Sequence, residues 1–279
     1  MSYTVKTRLM RAIIYVVLVI LALICIIPIW ILLVYATRST PQIQQGISLI
    51  PSTHAVQNWT NLTNRGFKLI DGFKNSIIIS VGVTVLSVYF SMMFAYAIHV
   101  YDFFYKKFIY GVVMVLVLVP TQTAIFGFYR EMQALHFLDT YIPLIIPAIA
   151  APGTIFFCKQ YLESVIVRDL IDAARIDGCG EIGIFHRIML PIAKPGAVTM
   201  GIFAFVGSWN SFINAFVLIS KTKMYTLPML VQLLRGDTYR TEYGSIYLGL
   251  AVSVLPVIVV YAIFSKFIVN GIAMGAVKE

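Results

Sequence analysis

Charge is scarce in this sequence. Only 12% of its 279 residues are Asp, Glu, Lys or Arg, about half the share of an ordinary soluble domain. Apolar residues make up 59% and the mean hydropathy is +0.87. One water-soluble core cannot hide that much apolar surface, which excludes a soluble globular protein. Cysteine is scarce too. Cys25, Cys158 and Cys179 have neither metal-ligand nor disulfide spacing, so they read as small apolar fillers. The four histidines (His54, His99, His136, His186) are scattered, with no partner at ligand or catalytic spacing. A nucleotide loop is missing. The stretch GFKLIDGFK at 66–74 has five residues between its glycines where a P-loop has four, and Phe73 stands where Lys must reach the phosphates. Inside the apolar runs there are no carboxylates for a proton relay, which argues against a proton-driven carrier. With no clustered Asp, Glu, His or Cys site either, the chain is expected not to be an enzyme and to hold no metal or cofactor. The sequons at Asn58 and Asn61 are discounted as chance matches.

Long uncharged runs are what the sequence has instead. A mid-membrane Lys or Asp costs roughly 2.5–3.5 kcal/mol while a Leu returns only about 0.5, so gaps between charges are the signal. About 20 helical residues cross the hydrocarbon, and six runs qualify: 12–37, 75–101, 108–129, 140–158, 195–220 and 243–265. The first is too long for a signal-peptide core and no small-residue cleavage site follows it. We read it as a retained helix and the fold as an all-α integral membrane bundle of six spans. An even number of crossings puts both termini on one side. Placing them in the cytoplasm leaves twelve basic residues inside and nine outside, in the sense of the positive-inside rule. The net charge of +9 then reflects basic residues beside membrane ends and implies no nucleic acid.

One interior loop breaks the pattern. Residues 159–194 carry ten charged side chains in 36 positions. Val167, Leu170, Ile171 and Ala174 fall at i, i+3, i+4 and i+7, a helical stripe; Arg168, Asp172 and Arg175 share the opposite face at ion-pair spacing. Asp177-Gly178 stops this helix, since Gly takes the left-handed C′ position without penalty. A second short helix is expected over 181–189, ended by Leu190-Pro191 and Lys194-Pro195. Two short amphipathic helices joined at a sharp turn make a rigid knuckle. Either it lies on lipid headgroups or it grips a protein. Interfacial helices favour a lysine-rich polar face, whereas this one mixes Asp with Arg.

The spacing Asp172-Ala173-Ala174, Gly178, Ile188, Leu190-Pro191 resembles the "EAA" loop of binding-protein-dependent ABC importer permeases, with Asp172 replacing the family's Glu. NSIII at 75–79, AYA at 95–97, GSWNSFINAFVLIS at 207–220, YTLPMLVQLLRG at 225–236 and FIVNGIAMGAVKE at 267–279 are similar to carbohydrate-type permeases, specifically the maltose-type second subunit. Ser211 departs from that subunit's usual acidic residue after Trp-Asn. The resemblance implies a type I importer permease fold in a bacterial plasma membrane. It implies an N-terminal helix and first external loop (1–71), a five-helix core (72–268) containing a coupling loop at 159–194, and a cytoplasmic tail (269–279) reaching toward the ATPases. Asp172, Ala173, Ala174, Asp177, Gly178, Ile188, Leu190 and Pro191 are the implied ATPase-coupling residues. The implied partners are a second homologous permease, two cytoplasmic ABC ATPases that bind the ATP, and an extracytoplasmic solute-binding protein delivering a sugar.

Polar groups at membrane depth are candidates for the substrate route. Ser208, Trp209, Asn210 and Asn214 lie near the middle of the fifth run, where amides bond hydroxyls both ways and an indole stacks on a sugar face. Thr121, Gln122 and Thr123 follow Pro120 in the third run, where freed backbone can line a cavity; Tyr129 and Tyr247 are weaker candidates. Interhelical hydrogen bonding is the competing role for all of these. Pro143, Pro147, Pro152 and Pro256 are candidate bending points. The alternatives to sugar import are the same fold carrying glycerol phosphate or another small polar nutrient, and a self-sufficient carrier or channel.

Overall fold

A computed structural model describes residues 3–64, 68–236 and 242–276. All regular structure among them is helical. In chain order the helices are α1 (Tyr3–Ala36), α2 (Thr40–Gln44), α3 (Ala55–Asn64), α4 (Leu69–Val100), α5 (Lys106–Leu118), α6 (Ile125–Ala134), α7 (Ile142–Ile145), α8 (Pro152–Val165), α9 (Arg168–Ile176), α10 (Glu181–Ile184), α11 (Leu190–Ile192), α12 (Lys194–Trp209), α13 (Phe212–Leu218), α14 (Leu227–Gly236) and α15 (Tyr243–Ala276). Four stretches are single spans by length and apolarity: Thr7–Ala36, Leu69–Val100, Ile142–Val165 and Tyr243–Lys266. Two bent pairs, Lys106–Leu118 with Gln122–Ala134 (85°) and Glu181–Ile192 with Lys194–Trp209 (79°), bring the number to six if each pair counts as one.

The third apolar run is therefore not straight. Pro120 has no N–H and fixes its own φ, so α5 stops at Leu118 and the chain turns through Thr121–Ala124 before α6. The fourth run is divided where expected: Pro143, Pro147 and Pro152 each stand in the first turn of a new helical segment. Pro256 lies inside α15, which continues past it. Helix α4 starts at Leu69, a turn and a half before the apolar run, because Asp71 and Lys74 sit at its end where charge reaches water.

Two compact units form, Met1–Leu69 with Leu230–Leu255, and Ile70–Met229 with Pro256–Glu279. In the first, α1 exposes apolar side chains from Leu9 to Trp30, a surface made for lipid or another membrane protein. Its C-terminal carbonyls are closed by Asn58, whose amide donates to the Ala36 and Arg38 carbonyls at 2.9 Å each. That amide is buried and fully engaged, which removes the first sequon from consideration as a surface acceptor. Gly244 lies against the same carbonyl: a Cβ there would sit 2.4 Å from the Arg38 oxygen.

The second unit holds the main core. Met92, Ala95 and Tyr96 of α4 pack with Cys158, Tyr161 and Leu162 of α8 and with Ile171, Ala174, Ile184, Phe185 and Met189 of the charged loop. Of the three cysteines, Cys158 is a core filler, while Cys25 and Cys179 are exposed. Helices α8 and α12 meet at Gly196, where a Cβ would come within 2.4 Å of the Tyr161 ring. Only hydrogen fits there.

Candidate functional site

The knuckle forms largely as its sequence requires. Helix α9 has Asp169 in its first turn and Arg175 in its last, each favourable to the helix dipole. It ends in a Schellman arrangement: the Gly178 amide donates to the Arg175 carbonyl and the Cys179 amide to the Ala174 carbonyl, both at 3.0 Å. Gly178 has φ +79°, with nothing within 4 Å of where a Cβ would stand. Glycine is required there by conformation, not by space.

Two details differ from expectation. Ile171 and Ala174 are buried, but Val167 and Leu170 of the same stripe are exposed. Val167 is the N-cap, with extended backbone at φ −91° and ψ 134°, so it does not continue the helical face. The second arm also runs past Leu190-Pro191 to Ile192. A wider turn over Phe185–Met189, where the Leu190 amide reaches back five residues to the Phe185 carbonyl, absorbs the proline and moves the break to Ala193.

Of the coupling residues expected from the resemblance, Asp172, Ala173, Asp177 and Gly178 are exposed together at the tip; Ala174 is buried beneath them. Ile188 and Leu190 pack partly buried against the core, and Pro191 is exposed on the way back to α12. Exposed Ile176 and Ile182 flank the charged tip.

Hydrogen bonds that spacing alone did not reveal hold this tip to the end of α4. Arg175 donates to Glu181 (2.7 Å) and Asp172 (3.0 Å), which joins the two arms. Tyr101 donates to the other Glu181 oxygen at 2.5 Å. Arg168 reaches Asp102 (3.0 Å) and the His99 carbonyl (3.2 Å), and Lys106 reaches Asp102 at 2.8 Å. The electrostatics follow from these contacts. Asp102 is held down at about 2, first by its bond from Lys106 and then by Arg168. Glu181 lies below its ordinary value, chiefly through Arg175 and then Tyr101. Arg175 is raised by its bond to Glu181. Among these groups Tyr101, Asp102 and Glu181 were missed in the sequence. Their signal is weak, a polar cluster just past an apolar run.

A second site lies within the same unit, a cavity of about 470 Å³ between α4, α6, α7, α12 and α13. Ser208, Trp209 and Asn214 from the expected route line it. Asn210 and Gln122 do not; both are exposed elsewhere, as is Thr123, whose hydroxyl donates to the Pro120 carbonyl at 2.7 Å. The Thr121 side chain lies outside the described residues. Tyr129 is partly buried without lining the cavity, and Tyr247 meets Tyr35 edge-on at 5.0 Å in the other unit. Asn210 and Asn214 are separated because α12 ends at Trp209 and the chain re-forms a helix only at Phe212. The Trp209 indole stacks on Phe205 (5.7 Å, 19°) and meets Phe73 edge-on (5.8 Å). Ser80 and Thr226, also in the lining, are buried with hydroxyls that find no partner in the protein. Each such group costs about 1–3 kcal/mol. Next to the lining residue Ser76, Asn75 donates to the Lys223 and Tyr225 carbonyls (2.9 Å each) and accepts from Tyr141 (2.7 Å).

Comparison with known proteins is consistent with this arrangement. Residues 88–273 match the family described as binding-protein-dependent transport system inner membrane component. The arabinooligosaccharides transport system permease protein AraQ of Bacillus subtilis is 33% identical, over 92% of this chain and 92% of its own length. The trehalose transport system permease protein SugB of Mycobacterium tuberculosis is 31% identical, over 86% and 88%. Among solved structures, a bacterial ABC transporter involved in the import of the acidic polysaccharide alginate superimposes with a TM-score of 0.79 at 22% identity, covering 95% of this chain and 99% of that one. The fold is thus the type I importer permease fold that the resemblance implied. Through the matched residues, which span the second-unit core and the knuckle, the chain belongs to the family of inner-membrane components of binding-protein-dependent transport systems, as a multi-pass permease subunit.

Proposed function

We propose that this chain is one of two membrane subunits of an ATP-driven importer for a sugar or oligosaccharide. A second permease of similar fold completes the pathway, two cytoplasmic ATPases bind the nucleotide, and an external binding protein delivers the substrate. The chain itself carries no cofactor, and both termini face the cytoplasm. The observation that carries this reading is the knuckle: a charged tip of Asp172, Ala173, Asp177 and Gly178, flanked by exposed Ile176 and Ile182 and stitched through Arg175 and Glu181 to the end of α4. Exposed isoleucines beside carboxylates suit a cleft on a folded partner better than lipid headgroups. ATP binding would close the ATPases and carry the knuckle, with α4 and α12, as one body between inward-open and outward-open states. Of the tail expected at 269–279 and sent by the resemblance toward the ATPases, residues 269–276 continue α15 and 277–279 lie outside the described residues.

Sugar is favoured over glycerol phosphate by the cavity lining, which offers hydroxyls, an amide and an indole and no basic side chain among the described residues. The relatives named for arabinooligosaccharides and trehalose support the same class. Co-purification tests the assembly: the native chain is expected to bring the second permease and the ATPase with it. Gly178→Pro, which cannot take the left-handed turn, is expected to keep the permease and lose the ATPase. A native chain that purifies alone and still moves solute overturns the reading.

A further inference from the structure

The cavity points to residues that read the substrate. Along α4 the positions Ser76, Ile79, Ser80 and Val83 form one helical face toward it. A buried serine or threonine in a helix ordinarily spends its hydroxyl on the carbonyl one turn back. Thr84 does so, bonding the Ser80 carbonyl at 2.6 Å, as does Thr199 with Pro195 at 2.9 Å. Ser80 is 1% exposed and makes no such bond. Thr226, 5% exposed, is held in place by its neighbour, because the Leu227 amide donates to Ser76 at 2.8 Å; its own hydroxyl is likewise unpartnered. Two residues with buried, unpartnered hydroxyls thus lie in the lining of one cavity, together with Trp209, itself 2% exposed, and Asn214. The volume lies within the range of small-molecule sites.

We propose that this subunit binds one uncharged sugar ring within itself, the ring face against Trp209 and its hydroxyl groups read by Ser80 and Thr226. This rests on the sugar-import reading. Each hydroxyl can donate and accept, which matches a polyol; with no cation in the lining, a phosphate or carboxylate would be left unpaired. The hydroxyls are kept unpaired in the protein so that the substrate completes them.

The test is uptake by the whole importer in proteoliposomes, with its binding protein, of arabinotriose, trehalose and diacetylchitobiose. The expected result is uptake of at least one by the native assembly. Ser80→Ala with Thr226→Val then raises its KM about tenfold, the equivalent of one good hydrogen bond, by more than any change in kcat. The thermal midpoint should hold or rise, because unpartnered buried hydroxyls have been removed; a purely structural role would lower it. Ser80→Thr and Thr226→Ser, which keep the hydroxyls, should retain the native KM, so a folding defect is told apart from lost recognition. With Trp30→Phe and Trp59→Phe, sugar should perturb the emission of the remaining Trp209. An unchanged KM and an unchanged Trp209 signal, in an importer that moves sugar, mean a water-filled cavity and overturn the proposal while leaving sugar import standing. An assembly that moves none of the three sugars overturns the sugar reading and the cavity assignment with it.

Discussion

Gly178 sits at φ +79° in open space, so the effect of replacing it is conformational. Gly178→Ala is expected to cost about 1–2 kcal/mol, measured as a lower unfolding midpoint and weaker ATPase co-purification. Gly178→Asn should cost less, since Asn tolerates the left-handed region. Gly196 is the opposite case, ordinary in backbone and confined in space. Gly196→Ala places a methyl on the Tyr161 ring and is expected to destabilise by about 1–3 kcal/mol. A double-mutant cycle with Tyr161→Leu should recover part of that loss. At Glu181 the question is charge. Its carboxyl is held below the ordinary range, so its contribution is complete above about pH 5 and falls only as pH drops through its own lowered value. Tyr101 is raised, by burial first and then by its bond to Glu181, and stays a neutral donor. Sugar-stimulated ATP turnover should therefore show no titration from Glu181 between about pH 5 and pH 8. Glu181→Gln should lower that turnover several-fold while the assembly still co-purifies.

At the scale of elements, periodicity read α9 and its stop correctly and misplaced what depends on neighbours. Apolar spacing gave Ile171 and Ala174 to the core, but Val167 caps the helix in an extended conformation and Leu170 stays exposed, outside the cluster with Phe185 and Ile184. Leu190-Pro191 looked like a stop, yet the widened turn before it frees the backbone that the proline ring would strike. The break after Trp209 was invisible, since Asn210-Ser211 is ordinary in an apolar run; it moves Asn210 away from the cavity and leaves Asn214 in it. The Asn75 contact is likewise an element-scale device, three segments joined by one amide. Asn75→Leu strands two carbonyls and a phenol and is expected to cost about 1–3 kcal/mol, seen as faster amide exchange over 221–227.

For the whole molecule, the exposed apolar length of α1 and membership of a family of transport-system components are the basis for expecting it to work within an assembly. Reconstituted by itself, it is expected to move no sugar and hydrolyse no ATP, with both activities returning when the partner permease, ATPases and binding protein are added. Uptake by the isolated chain would favour a self-sufficient carrier.

What the sequence determined by itself was the set of apolar runs and the charged two-helix loop between the fourth and fifth of them. Charge scarcity, run length, a glycine after a short amphipathic helix and a fixed motif spacing are all local, and each has one physical outcome. Tertiary packing alone decided which polar residues face a common cavity and what holds the knuckle rigid. Ser80 and Thr226 are 146 positions apart, and Tyr101 meets Glu181 across 80. Neither pair has a local signature, because a hydroxyl left unpaired, or a tyrosine bonded to a distant carboxylate, is a property of the neighbours that the fold brings to it.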